Sequence, residues 1–244
     1  MDASTGSYNT AIGYGTLSAT TSANNNTAVG YLALLSNTTG TQNNGFGVNA
    51  LTANTTGDFN VAVGTNALSS NTTADNNTAL GRNALLTNTT GTNNVAVGSL
   101  ALDACTTGSD NVAIGQLALS DLSDQSNSTA VGHSAGENAV GAKNTFTGTD
   151  AGKGATSGCN GDSNTAMGKG SLSSFTSGRN NTCIGIQSGD SITTGQNNTF
   201  LGRNAGGSTS PSGTITTSSN IVVLGDDNVT TLMCADTSIS ASDS

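Results

Sequence analysis

One pattern repeats four times in the middle of the chain: Asn60-Val-Ala-Val-Gly64, Asn77-Thr-Ala-Leu-Gly81, Asn94-Val-Ala-Val-Gly98 and Asn111-Val-Ala-Ile-Gly115. The glycines that end these segments are each 17 residues apart. Two variable residues follow each glycine, and Ala-Leu comes next, as in Ala67-Leu68 and Ala84-Leu85. A fixed short period of this kind is typical of solenoids, in which every repeat stacks on its neighbours.

The same glycine recurs through nearly the whole chain, at Gly13, Gly30, Gly47, Gly64, Gly81, Gly98, Gly115, Gly132, Gly148, Gly168, Gly185, Gly202 and Gly225. The spacing is 17 residues except for 16 before Gly148, 20 before Gly168 and 23 before Gly225. We therefore predict one repeat domain over residues 1–225, with longer loops at 149–164 and 203–220. Residues 226–244 are expected to form a C-terminal cap or connector.

Each repeat unit predicts short β-strands. In Val95-Ala-Val97, large apolar residues alternate with alanine, which indicates a strand with one bulky and one small face. The glycine permits a bend, Ala-Leu is expected on a second short strand, and turns such as Asn54-Thr-Thr-Gly57 close the unit. The predicted fold is all-β, a parallel β-solenoid or β-roll of about 17 residues per coil.

An asparagine stands four residues before most of these glycines, at positions 9, 26, 43, 60, 77, 94, 111, 144, 164, 181 and 198. In a stacked solenoid these residues lie above one another, and their amides can hydrogen-bond along the axis. We predict a structural ladder that includes Asn26, Asn60, Asn77, Asn94, Asn111, Asn164, Asn181 and Asn198. The coil glycines Gly30, Gly64, Gly81, Gly98, Gly115, Gly185 and Gly202 are likewise assigned a structural role.

Composition excludes several classes of protein. Charged residues make up only 9% of the chain, and the formal net charge is −9, so the basic stripe of a nucleic-acid-binding protein is missing. No apolar run is long enough to insert into a membrane. The four cysteines, Cys105, Cys159, Cys183 and Cys234, lack metal-binding spacing and are expected to be small packing residues rather than metal ligands or disulfides.

The small core predicts association between chains. A coil of 17 residues encloses about three or four apolar side chains, which is little for an independent core. We expect the smooth Ala and Gly face to pack against other copies of the chain in an obligate homo-oligomer.

Parts of the sequence resemble two families of extracellular fibrous proteins. The Asn-Thr/Val-Ala-Val/Ile-Gly pattern resembles the head repeats of trimeric autotransporter adhesins, whose β-rolls associate side by side. Asn198-Thr-Phe-Leu-Gly-Arg-Asn-Ala-Gly206 and Asn220-Ile-Val-Val-Leu-Gly225 look more like bacteriophage tail fibres. The segment from Val229 to Ser244 is similar to the region that precedes a self-cleaving intramolecular chaperone domain in those fibres, so the chain is expected to stop near the cleavage point.

This resemblance implies a side-by-side homotrimer in the virion tail, extracellular, that serves as a shaft or tip for host attachment. The implied partners are a host cell-surface glycan or protein and other virion tail proteins. Alternatives are a bacterial trimeric adhesin head, a self-assembling extracellular filament subunit and an ice-binding solenoid that uses threonine pairs such as Thr38-Thr39 and Thr55-Thr56. A glycan-cleaving enzyme is a fourth possibility.

Candidate catalytic and metal-binding groups are scattered. His133, the sole histidine, stands at a position that accepts many residue types and is expected to face solvent, so Ser134 and Glu137 are not expected to form a catalytic set with it. Two oxygen-rich turns, Asp121–Asn127 and Asp226-Asp227-Asn228, lack calcium-loop spacing. We predict no enzyme activity, no catalytic residue, no metal and no cofactor, and we expect the loops at 149–164 and 203–220 to provide the contact surface.

Overall fold

The computed structural model of the chain describes residues 5–208, 210, 213–226 and 228–231. These residues form a parallel β-solenoid in which every coil contributes one three-residue strand. The strands are β1 Thr10–Ile12, β2 Thr27–Val29, β3 Asn44–Phe46, β4 Val61–Val63, β5 Thr78–Leu80, β6 Val95–Val97, β7 Val112–Ile114, β8 Thr129–Val131, β9 Thr145–Thr147, β10 Thr165–Met167, β11 Thr182–Ile184, β12 Thr199–Leu201 and β13 Val222–Leu224. Each coil is numbered after its strand, so coil 4 comprises residues 60–76.

The strands form one parallel sheet in chain order, β1 to β13. Neighbouring strands pair residue by residue, so that Val61 lies beside Thr78 and Ala62 beside Ala79. Since adjacent strands are about 4.8 Å apart, thirteen of them make a sheet roughly 60 Å long. The predicted fold class, an all-β parallel solenoid with about 17 residues per coil, is confirmed.

The expectation of a second strand in each coil is wrong. Ala67 and Leu68 lie in a turn, because Asn66 and Leu68 have left-handed φ values of 57° and 50° that an extended strand does not allow. Backbone hydrogen bonds nevertheless join the coils here, as from Leu68 N to Ala84 O at 3.0 Å. The coils are therefore bonded to one another well beyond the sheet.

The apolar core runs along the inside of the coils. The middle residue of each strand points inward with the Ala-Leu pair, and Ala62, Ala67 and Leu68 are fully buried. The flanking strand residues, such as Val61 and Val63, point outward and are half-buried. The expectation that the alanine face packs against another chain is therefore wrong, because the narrow interior takes the small residues and leaves the bulky ones outside.

Glycine replaces the core leucine in several later coils. Phe146 and Phe200 occupy the strand position that is usually alanine, and both are fully buried. A Cβ atom at Gly152 would lie 2.2 Å from the Phe146 ring, and one at Gly206 would lie 2.4 Å from the Phe200 ring. A large residue in the strand thus fills the space that the missing leucine leaves.

The two longer coils differ in how fully they are described. In coil 9, Ala155 to Gly158 are exposed, and a bridge between Ala139 and Cys159 returns the chain to register. In coil 12, the predicted loop 203–220 includes residues 209, 211 and 212, which lie outside the described residues. Most of the predicted segment 226–244 also lies outside them. None of the described residues forms a helix that is long and apolar enough to cross a membrane.

Candidate functional site

A buried row of asparagines closes each coil. We call the asparagines four residues before the coil glycines the interior asparagine row. Asn77 donates from Nδ2 to the carbonyl of Gly91 at 2.8 Å, across the end of its own coil. Its Oδ1 accepts a hydrogen bond from the backbone N–H of Asn94 in the next coil at 2.9 Å. One side chain therefore closes its own coil and binds the next coil in register.

The geometry recurs along the interior asparagine row. The buried members are Asn26, Asn43, Asn60, Asn77, Asn94, Asn111, Asn144, Asn164, Asn181 and Asn198. Direct amide-to-amide bonds also occur, as from Asn60 Nδ2 to Asn43 Oδ1 at 3.1 Å. Most contacts of the row, however, run from side chain to backbone. In coil 8, Ser128 takes the position, and its hydroxyl accepts the Asn144 N–H at 3.3 Å.

A second buried row, which sequence reasoning treated only as turn residues, consists of Asn37, Asn54, Asn71 and Asn88 and is called the turn asparagine row. Asn88 Nδ2 donates to Asn71 Oδ1 at 3.0 Å and to the Gly91 carbonyl at 3.0 Å. The Gly91 carbonyl therefore accepts two side-chain amides, one from each row. The 17-residue spacing of Asn37, Asn54, Asn71 and Asn88 is the sequence signal that could have found the row.

The turn asparagine row ends at a cysteine. Cys105 occupies the next position, and its thiol donates weakly to the Gly108 carbonyl at 3.5 Å. Asn88 Oδ1 is buried and has no hydrogen-bond partner within the described part of the chain. Burial raises the pKa of the Cys105 thiol to about 11 and that of Cys183 to about 12. Cys105, Cys159 and Cys183 are buried and free, whereas Cys234 lies outside the described residues.

The coil glycines allow adjacent coils to approach closely. Gly81 has a φ of 142°, and a Cβ atom there would lie 2.4 Å from the Gly98 carbonyl oxygen. Both the backbone conformation and the contact exclude a side chain. The coil glycines are therefore points of close packing along the axis, as are turn glycines such as Gly91, where a Cβ atom would lie 2.2 Å from the Gly108 carbonyl oxygen.

The outward face of the sheet carries an apolar row over its whole length. We define the outer apolar row as the third residues of the strands, namely Ile12, Val29, Phe46, Val63, Leu80, Val97, Ile114, Val131, Met167, Ile184, Leu201 and Leu224, with Thr147 between Val131 and Met167. Exposure is 46% at Leu80 and 36% at Val131. The described strands contain no charged residue. This is the most continuous apolar surface of the described residues.

A groove of about 480 Å³, lined by both polar and apolar groups, lies at the corner beyond the sheet in coils 9 to 11. Its lining consists of Asp150, Lys153, Lys169, Gly170, Ser173, Ile186 and Gln187. Lys153 Nζ lies 3.1 Å from Glu137 Oε2 and 3.7 Å from Asp150 Oδ1. The hydrogen bond with Glu137 is the main reason why the pKa of Lys153 is raised. The sequence-predicted loop 149–164 contributes Asp150 and Lys153 to this groove.

The structure does not bring the candidate catalytic residues together. Ser134 is 1% exposed, whereas the neighbouring His133 is exposed, so their side chains lie in different environments. Glu137 is bound to Lys153. His133 and Ser134 therefore do not form a nucleophile–base pair in the described part of the chain.

The oxygen-rich turns use their polar groups internally. Asp124 Oδ1 accepts hydrogen bonds from Ser123 Oγ at 3.1 Å and Gln125 Nε2 at 3.0 Å. The backbone N–H of Asn228 donates to Asp226 and lowers the pKa of its carboxyl, while Asp227 lies outside the described residues. Over the described ranges, no group of three His, Cys, Asp or Glu side chains is arranged to hold a metal ion.

The threonine pairs separate into two rows. The first threonine of each pair is half-buried, and its hydroxyl donates to the next coil, as from Thr55 Oγ1 to Thr72 O at 3.0 Å. The second threonine is exposed at Thr39, Thr56, Thr73, Thr90 and Thr107. The outward surface is therefore a single hydroxyl row rather than a double one.

Comparisons of the chain with protein-family models, with curated proteins and with solved structures find no match.

Proposed function

We propose that this chain is a trimeric tail-fibre shaft or tip of a bacteriophage that attaches to the host surface. The observation that carries the proposal is the outer apolar row, which continues over a sheet roughly 60 Å long. The resemblance of the repeat units to extracellular fibre proteins supplies the biological context. The function is structural and adhesive rather than catalytic.

The outward face of the sheet is long enough to serve as an interface between chains. Two outward strand residues lie about 7 Å apart, so the outward face of the sheet covers on the order of 400 Å², with the outer apolar row beside a row made mostly of threonine. Soluble monomers rarely expose contiguous apolar patches much larger than a few hundred Å². A specific interface buries about 800 Å² per partner, which this strip and its polar borders provide. The absence of charge from the described strands removes the repulsion and desolvation that would oppose side-by-side packing.

The proposed trimer differs from the arrangement expected from the sequence. Alanines line the inside of each coil, so neighbouring chains cannot share an axial core through them. Each protomer instead keeps its own narrow core and presents Val, Ile and Leu side chains to its partners. Val97, Ile114 and Val131 lie at the centre of this proposed interface.

A charge in the outer apolar row tests the trimer. Val97→Lys is expected to shift the native mass, measured by light scattering, from about three times the 23.8 kDa chain towards one chain. Thr107→Lys adds the same charge to the exposed threonine row and should leave the mass unchanged. A monomeric wild-type protein, or a Val97→Lys protein that remains trimeric, would overturn the proposal.

Host attachment requires a separate experiment. Fluorescently labelled wild-type protein is expected to bind host cells, and antibodies against it are expected to decorate the virion tail. Failure of both would contradict the assignment to a phage fibre. Decoration of the surface of a bacterium that produces the protein would instead favour an adhesin head.

A further inference from the structure

The groove in coils 9 to 11 exists because one side chain is missing. Gly170 occupies the second position after the coil glycine, where Asn49, Asn66 and Asn83 stand in coils 3 to 5. Those asparagines form an amide ladder, with Asn49 Nδ2 3.1 Å from Asn66 Oδ1 and Asn66 Nδ2 3.2 Å from Asn83 Oδ1. That ladder ends at Asn83, and in coil 10 the same position is Gly170, which has no side chain.

The gap is open space with polar ends. A Cβ atom at Gly170 would contact only Gln187 Cγ, at 3.6 Å. Asp150 and Gln187 occupy the same position in the coils on either side, roughly 10 Å apart along the axis at two strand spacings. A carboxylate that accepts hydrogen bonds and an amide that both donates and accepts therefore face the gap from opposite ends.

Two lysines line the groove, one held in ion pairs and one outside them. Lys153 is fixed by Glu137 and Asp150, at 3.1 Å and 3.7 Å. Lys169 is exposed, and it takes part in neither of the two ion pairs found in the described residues, both of which involve Lys153. Ile186, which is 51% exposed, adds an apolar surface beside Lys169.

Positive charge is also concentrated here. Five of the six cations of the chain fall between residues 143 and 203, at Lys143, Lys153, Lys169, Arg179 and Arg203. The net charge of the whole chain is −9, so this part departs from the average. Of these cations, Lys153 and Lys169 line the groove, and because Lys153 is paired with Glu137 and Asp150, Lys169 is the lining cation that can attract an anionic group.

We propose that this groove binds an acidic saccharide, a sugar ring that carries a carboxylate. The carboxylate pairs with the Lys169 ammonium, and ring hydroxyls occupy the space beside Gly170 between Asp150 and Gln187. The apolar face of the ring rests on Ile186. A volume of about 480 Å³ lies within the range of small-ligand sites. This inference rests on the proposed attachment function and names the chemistry of the receptor.

Refilling the gap is the sharpest test. Gly170→Asn places a side chain in the gap at a φ of 65°, a left-handed conformation that asparagine tolerates and already adopts at Asn66 and Asn83. Binding of the full chain to sialyllactose and to digalacturonate is measured by saturation-transfer NMR and calorimetry, with lactose as the neutral probe. We expect at least one acidic probe to bind, and Gly170→Asn to weaken it at least tenfold without lowering the melting temperature.

Two variants that each remove one positive charge distinguish binding in the groove from attraction to surface charge in general. Lys169→Ala is expected to weaken binding of the acidic probe at least fivefold. Arg82→Ala, at the equivalent position of coil 5, should leave that binding unchanged. The inference would be overturned if neither acidic probe bound, or if lactose bound more tightly than both. It would also be overturned if Gly170→Asn bound the acidic probe as well as wild type, or if Arg82→Ala lost as much binding as Lys169→Ala. If the protein binds host cells but neither acidic saccharide, the proposed attachment function stands and the groove proposal fails. If it binds an acidic saccharide but not host cells, the attachment function fails and the groove proposal stands.

Discussion

Buried asparagines carry a large part of the cohesion at the level of single residues. Each amide of the interior asparagine row accepts a backbone N–H of the next coil that would otherwise lie unpaired in the core, as Asn77 does for Asn94, and it also donates to a turn carbonyl such as that of Gly91. Leaving such a group unpaired costs about 1–3 kcal/mol. The chain therefore buries many polar side chains in its core without leaving most of them unsatisfied.

Cys105→Asn is expected to stabilise the protein. The new amide extends the turn asparagine row, so it can donate to the unpaired Asn88 Oδ1 and to the Gly108 carbonyl. A gain of about 1 kcal/mol corresponds to a rise of about 2–4 °C in melting temperature for a chain of this size. Cys183→Asn is the matched control, because no ladder asparagine stands beside that strand position, and its melting temperature should fall. A lower melting temperature for Cys105→Asn would contradict the role of the row.

Alkaline pH is expected to destabilise the fold through the same thiols. The folded-state pKa values of Cys105 and Cys183, about 11 and about 12, exceed the ordinary value of 9.0 because burial disfavours the thiolate. Their contribution is complete below pH 9 and is lost as the pH rises towards 11–12, since the unfolded chain ionises first.

Urea unfolding between pH 8 and pH 11 measures this loss. The decline should be shallower in the Cys105→Ala/Cys183→Ala variant than in the wild type. Identical slopes in the two proteins would show that the thiols are not responsible.

At the scale of single coils, the middle strand residue and the residue after the coil alanine share the same core space, so a large side chain at one position goes with a small one at the other. Phe146→Ala should open a cavity, and Gly152→Leu should place a side chain against the Phe146 ring, each costing about 2–4 kcal/mol. The double variant recreates the Ala and Leu of coil 4, where Leu68 adopts the same left-handed conformation as Gly152. Its stability should return to within about 1 kcal/mol of wild type, and thermal unfolding of the four proteins measures the coupling. Additive losses would contradict the exchange.

The elements show what sequence could and could not predict. The 17-residue period and the alternation in Val61-Ala-Val63 predicted a parallel solenoid, since only stacking explains a glycine kept in register. Alternation alone did not show which strand face lies inside, and the left-handed residues Asn66 and Leu68 excluded the expected second strand. The groove was not predicted, because it depends on residues from three coils around the absent side chain of Gly170.

At the scale of the whole molecule, stability should follow the number of intact coils rather than the number of residues. Deletion of residues 77–93 removes one coil and joins Asn76 to Asn94, so every row stays in register. We expect a folded rod shortened by about 4.8 Å, measurable by X-ray scattering. Deletion of residues 77–84 removes fewer residues but places half a coil against whole ones. This shorter deletion should lower the melting temperature far more than deletion of the whole coil. A larger fall for the whole-coil deletion would contradict the idea that stability depends on contacts between intact neighbouring coils.

The irregular coils have a consequence for how the chain folds. Coils 4 to 7 are so alike that a segment displaced by one unit makes nearly the same contacts, and such misthreaded intermediates differ little in energy from the native arrangement. The short step before Gly148, the exposed excursion Ala155 to Gly158 and the ring of Phe146 fit only one place. These features therefore fix the register of the coils. A chain that begins to fold around them places the first coils uniquely, and folding that spreads from there to both ends adds each coil without a register shift.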